Sequence, residues 1–211
     1  TVKYTEVTDL SWTHPTPCDT LPSSSQISFA TNIDVLGCTL KHGTIERSLT
    51  PTGGRTFSVA TAQLGTFDEG SQTLQHKCAT AFNPNPTYLD YAFTVDRTAP
   101  TLDSLSAPAR SSCNLEQFEL SFAGSDTASG CGLDGYAIKV TRPGLPASDR
   151  VREFFSPTTP FIYSGLLSPA PPGLSPNELV QVEVRAKDRA GQLSAPKTAE
   201  FRVQDPETAA C

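Results

Sequence analysis

The chain contains no methionine and a single tryptophan, and charged residues make up only 18% of its 211 positions. Its three histidines, His14, His42 and His76, form no metal-ligand cluster. It has no Cys-x-x-Cys, no His-Glu-x-x-His, no Gly-x-Ser-x-Gly and no phosphate loop. The sequence signatures of zinc sites, metalloproteases, serine hydrolases and P-loop nucleotide enzymes are therefore missing. No apolar run approaches the roughly 18 residues that a membrane-spanning helix requires. The net charge is −6 and no basic stripe is present, which argues against a nucleic-acid partner. Nowhere do apolar residues keep a 3.6-residue period over three turns, so almost no helix is expected. No signal-peptide pattern is present, and with no methionine the chain reads as a mature or excised segment.

What is abundant is turn chemistry. Eighteen prolines and 14 glycines are spread along the chain, while apolar residues still reach 37%. Between the turns lie short alternating runs. In the first half these are "KYTEV", "QISFAT", "CTL", "TFSVAT", "QTLQHKCA" and "LDYAFTV". In the second they are "TLDSLSA", "QFELSFAG", "GYAIKV", "FIYS", "VQVEVRA" and "AEFRV". Six or seven short strands per half, with turn signals between them, predict an all-β chain with a β-sandwich in each half.

The halves also resemble each other. "CDTLPSSSQISFATNIDVLGCTL" starts at Cys18, and "CNLEQFELSFAGSDTASGCGL" starts at Cys113. Each runs from a cysteine through a strand containing Ser-Phe-Ala and a polar loop to Gly-Cys-x-Leu. "YAFTVDRTAP" closes the first copy and "AEFRVQDPET" the second. The expected domains are residues 1–96 and 97–211, two copies of one module. The seam "FTVDRTAP", with "SDTASGCGLDGYAIKV" and "VEVRAKDRAGQLSAP", resembles the tandem Ig-like repeats of bacterial surface and secreted proteins. The first copy departs from that pattern where "ATAFNPNPT" replaces the Asp-x-Ala-Gly turn. The resemblance implies two Ig-like or fibronectin-type sandwiches in a secreted or cell-surface protein. The one near miss to an N-glycosylation acceptor, Asn85-Pro86-Thr87, has proline in the forbidden position, which fits a bacterial source.

Pro100 lacks an N–H and holds Ala99 extended, so the glycine-free seam is expected to be stiff. In an Ig-type sandwich the B–C and F–G loops lie at one end, where strand A begins. That rule would bring Asp126 of "SDTASG" and Asp188 of "KDRAG" near Asp96 of the seam. Carboxylates are the hard oxygen ligands calcium takes, and the resemblance implies calcium as the one cofactor to consider. The alternative is that Asp126 and Asp188 only cap their own turns. Arg97, Lys187 and Arg189 flank the three aspartates and offer ion pairs instead of a metal.

Six cysteines at 18, 38, 78, 113, 131 and 211, without metal spacing, predict disulfides and an oxidising compartment. Nearest-neighbour pairing, 18–38 and 113–131, puts a whole strand between partners, and a fold-back before strand B would be needed to rescue it. The alternative pairs Cys38 with Cys78 on neighbouring strands C and F, Cys18 with Cys131 across the seam, and Cys113 with Cys211. That second scheme is preferred.

Little in the sequence points to catalysis, and no enzyme activity is expected. His14 is read as a loop residue beside Pro15, and His42 as the end of a strand. His76 shares a face with Leu74 and Cys78 and reads as a hydrogen-bonded histidine at the core edge. "AFNPNPTY" is the least repeat-like loop, so Phe82, Asn83, Asn85 and Tyr88 form a candidate binding tip at the far end of the first copy. Trp12, with Phe82 and Tyr88, would supply a sugar-stacking platform, although single aromatics more often pack. The expected function is a non-catalytic extracellular spacer or adhesion segment with a protein or glycan partner at the cell surface. An accessory glycan- or protein-binding module of a secreted enzyme is the alternative, and a piece of a phage or fibre appendage a third.

Overall fold

The computed structural model describes residues 7, 10–108, 117–167, 171 and 173–204. Its described residues form 15 β-strands and one short 3-10 turn at Thr61–Leu64, with no α-helix among them. The chain divides into two compact units. Unit 1 comprises Thr1–Arg97 together with Ser129–Cys131, and unit 2 comprises Thr98–Ala128 and Gly132–Cys211. Each is an Ig-like or fibronectin-type sandwich.

The described residues of unit 1 form eight strands: β1 (Leu10–His14), β2 (Cys18–Asp19), β3 (Gln26–Thr31), β4 (Gly37–His42), β5 (Ile45–Leu49), β6 (Thr56–Ala60), β7 (Gly70–Ala79) and β8 (Leu89–Val95). One sheet runs β1-β3-β6 and the other β2-β8-β7-β4-β5. The alternation legible in the sequence becomes two faces. In β3, Ile27, Phe29 and Thr31 point inward; in β7, Leu74, His76 and Cys78 do. Ile27, Phe29, Leu74 and Cys78 join Leu21, Leu40, Phe57, Val59, Leu64, Phe93 and Val95 in one core. Short β2 pairs in parallel with the end of β8, Cys18 opposite Thr94.

The described residues of unit 2 form seven: β9 (Thr101–Ser106), β10 (Gln117–Ser125), β11 (Leu133–Thr141), β12 (Val151–Ser156), β13 (Phe161–Ser164), β14 (Leu179–Asp188) and β15 (Lys197–Arg202). Its sheets run β13-β10-β9 and β12-β11-β14-β15. Ile138 and Val140 of β11 lie opposite Val184 and Val182 of β14, and all four are buried. Gly135 of β11 is required by close packing: an added Cβ would lie 2.6 Å from the Phe155 ring and 2.6 Å from the Ser156 carbonyl. The ring of this half-exposed phenylalanine covers the bare glycine backbone.

Four strands were not among the alternating runs: β1, β2, β5 and β12. "KYTEV", read as the first strand, lies outside the described residues except for Val7, which is not in a strand. The first strand among the described residues is Leu10–His14, so His14 ends a strand and is not a loop residue. Its pairing with β3 is interrupted by an irregularity between Trp12 and His14, although its burial still alternates residue by residue.

Candidate functional site

Two disulfides tie unit 1, Cys38–Cys78 and Cys18–Cys131. Both belong to the preferred sequence pairing; Cys113 and Cys211 lie outside the described residues. Cys38 and Cys78 sit directly opposite each other on β4 and β7, both in the core. Cys131 belongs to unit 1, and its backbone N–H donates to Asp96 Oδ2 at 2.8 Å. Cys18, Asp96 and Cys131 place ligand-type atoms within 4.8 Å of one another. The two sulfurs are bonded to each other, so no thiolate is on offer, and a disulfide is not a calcium ligand.

The aspartates singled out by sequence are used as follows. Asp96 is fully buried. Asp126 accepts from the Thr127 and Gly132 N–H groups, both at 2.8 Å. Asp188, also fully buried, accepts from the Gln192 N–H at 2.7 Å and from its side-chain amide at 3.2 Å. These bonds are the turn-capping role that short carboxylates fill through their own backbone. Gly191 takes the left-handed conformation, φ +88°, that this turn needs.

The histidines are embedded. His42 stacks on Phe67, with centroids 3.9 Å apart, and its ring nitrogens face Leu64 O at 3.1 Å and Gln72 Oε1 at 3.2 Å. His14 Nδ1 meets Asp19 Oδ2 at 2.9 Å. Asp19 also accepts from the Leu21 N–H, and Tyr91 donates to the Pro15 carbonyl. Burial, followed by the nearby Asp19 charge, raises the Tyr91 hydroxyl above its ordinary value.

His14 Nε2 is buried without a partner among the described residues. His76 is 8% exposed, and no described group hydrogen-bonds either ring nitrogen. The core position expected from its strand face is observed; the expected hydrogen bond is not. Burial lowers its pKa below 6.5, and the charge of Asp90 pulls weakly the other way. The neutral imidazole therefore predominates at neutral pH. Its ring lies edge-on to Trp12 at 5.7 Å.

Trp12 is a packing residue. It stacks on Tyr91 at 4.2 Å and tilts against Phe29 at 5.0 Å, so it is not part of a platform with Phe82 and Tyr88. The other candidate tip residues lie on the loop from 80 to 88, which joins β7 to β8 at the end of unit 1 opposite Val95. Thr80 and Asn83 close its first turn, Thr80 N–H to Asn83 O at 3.0 Å and Asn83 N–H to Thr80 Oγ1 at 2.9 Å. Phe82 is 71% exposed, and Leu36, on the loop between β3 and β4, is 67% exposed. The two loops are joined where Leu36 N–H donates to Ala79 O at 2.8 Å. Arg55 braces the β3–β4 loop through Asp34 and the Asn32 carbonyl. The ammonium of Lys77 lies 4.3 Å from the centre of the Tyr88 ring. A cleft of about 250 Å³ opens beside this loop, walled by Val7, His76, Thr80, Asn83, Thr87 and Leu89 among others. Asn85 borders a second hollow of about 210 Å³ on the flank of the loop, with Thr39 and Lys77.

The class defined here is a chain of two tandem Ig-like or fibronectin-type sandwiches. No protein-family model matches the chain, and no curated protein matches it in sequence. Solved structures match its fold. The fibronectin(III)-like modules of Clostridium thermocellum CbhA align over 96% of this chain and 98% of theirs, with a TM-score of 0.56 and 14% identity. Domains A168–A170 of titin align over 89% of this chain and 61% of theirs, with a TM-score of 0.51 and 13% identity.

Proposed function

We propose that this chain is a non-catalytic extracellular segment of a bacterial surface or secreted protein, serving as a spacer with an adhesive tip. The observation that carries the reading is the tying of unit 1 by two disulfides. Such bridges persist in oxidising compartments. Two sandwiches in tandem suit a spacer: each has its own core, and the functional surface is left to the loops. In unit 1 those are the loops bearing Leu36 and Phe82, Asn83, Asn85 and Tyr88. The second reading, an accessory module that holds a glycan or protein for a secreted enzyme, draws on the same loops.

Calcium at Asp96, Asp126 and Asp188 belongs to this proposal as a separate element. Their oxygens already accept backbone and side-chain N–H groups, so an ion would have to share them. Melts and scattering profiles with calcium and with chelator decide it; identical curves remove calcium.

The test of adhesion is presentation on inert beads. Beads coated with the native chain are expected to hold to glycan- or protein-bearing surfaces, and beads coated with reduced, alkylated chain to release. Beads that hold no surface leave only a spacer.

A further inference from the structure

We propose that the cleft beside the 80–88 loop of unit 1 binds the terminal sugar of a neutral glycan. The inference deepens the adhesive-tip reading by naming the ligand class. Its starting point is His76. Its ring nitrogens are bonded by no described group, which leaves them to a ligand or to solvent in the cleft. His76 is 92% removed from solvent, forms a wall of the cleft, and has no described hydrogen-bond partner.

Burial keeps this imidazole neutral, so it presents one N–H donor and one bare nitrogen acceptor. A sugar hydroxyl serves both, because it donates and accepts. Apart from Lys77, the remaining polar side chains of the described wall are uncharged: the Thr80 and Thr87 hydroxyls and the Asn83 amide. Thr80 Oγ1 accepts from Asn83 N–H, which leaves its own proton to donate into the cleft. Lys77 borders the cleft, but its ammonium is engaged over the Tyr88 ring and lies 3.9 Å from Glu46. Among the described lining residues, the one cation is thus already shared with an aromatic ring and a carboxylate. Val7 and Leu89 give the apolar surface against which the C–H face of a sugar ring packs. About 250 Å³ is smaller than the roughly 300–1,000 Å³ of sites for drug-sized ligands, which suits one sugar and not a chain.

The three histidines make the site directly observable. Neutral oligosaccharides of differing terminal sugars are titrated into the full chain while the histidine ring protons are followed by NMR. His76→Gln assigns the His76 signal. For at least one terminal sugar, the His76 signal is expected to move saturably with a Kd of about 1 mM or tighter while His14 and His42 stay fixed. The double variant Asn83→Ala/Thr87→Val, which leaves the core untouched, is expected to weaken binding about tenfold or more. A His76 signal that no neutral sugar moves, in a chain whose spectrum shows it folded, overturns the proposal. So does a signal moved only by peptides or by anionic sugars. If beads carrying the double variant still adhere as well as native beads, adhesion stands and the sugar cleft falls.

Discussion

The two units solve one structural problem in two ways. Each must fix its central strand pair, β4 with β7 in unit 1 and β11 with β14 in unit 2. Unit 1 places a disulfide there, Cys38 opposite Cys78. Unit 2 places branched apolar residues there and anchors the end of its core with a buried ion pair. The Arg142 guanidinium, 1% exposed, meets both oxygens of Glu178 at 2.6 Å and donates to the Gly173 carbonyl at 2.7 Å. Burial opposes the charge, but hydrogen bonds to Glu178 and Tyr163 more than offset it and raise the Arg142 pKa. The loops differ as well. In unit 2, Asp188 and Gln192 close the turn after β14, and Ser194 continues the pairing with Ala186. In unit 1 the corresponding loop exposes Phe82 and borders a cleft.

The sharpest way to break this comparison is Glu178→Ala. It strands a buried guanidinium, and a loss of about 3–5 kcal/mol is expected in unit 2. Denaturation followed by hydrogen exchange should show the loss in β11 and β14 and not in β4 and β7. An equal loss in both units would mean that they unfold as one.

Next in size is the double variant Cys38→Ala/Cys78→Ala. A loop of 40 residues is released, and unit 1 should lose about 2–4 kcal/mol while unit 2 keeps its stability. A midpoint for unit 1 unchanged in urea would show that the bridge adds nothing to the packed strand pair.

A smaller effect belongs to His76. Well above pH 6.5 the ring is neutral in both the folded and the unfolded chain, and it adds no pH dependence. As pH falls below 6.5 the unfolded chain takes a proton that the folded chain resists, so unit 1 should lose stability. The difference between wild type and His76→Gln, measured from pH 7.5 to 5, about the range in which histidine titrates, isolates this slope. Parallel curves would place His76 in an environment that does not oppose its charge.

The smallest effect is expected from Arg55→Ala. The pair with Asp34 is exposed on both sides, 50% and 88%, so the loss should stay under about 1 kcal/mol and shrink with salt. A larger loss would mean that the bond to Asn32 O carries the brace of the β3–β4 loop.

The sequence by itself determined the fold class. Alternation marks "LDYAFTV" and "FIYS" at the bounds of β8 and β13, because strands with one buried face must alternate. It also put Cys38 and Cys78 on one inner face. Edge strands escaped it. β5 exposes Glu46, Arg47 and Ser48 in succession, and β12 exposes Phe155 over Gly135, so neither shows a simple two-residue period. Only the tertiary structure decided the rest. Arg142 and Glu178 are 36 residues apart, and nothing local marks them as partners. The sequence singled out Phe82, Asn83, Asn85 and Tyr88 by their departure from the repeat, but the cleft needed His76 from a strand and Thr80 and Thr87 from the loop. Whether a buried histidine has a partner depends on what the neighbouring chain places within about 3 Å of it, and periodicity along one strand carries no such information.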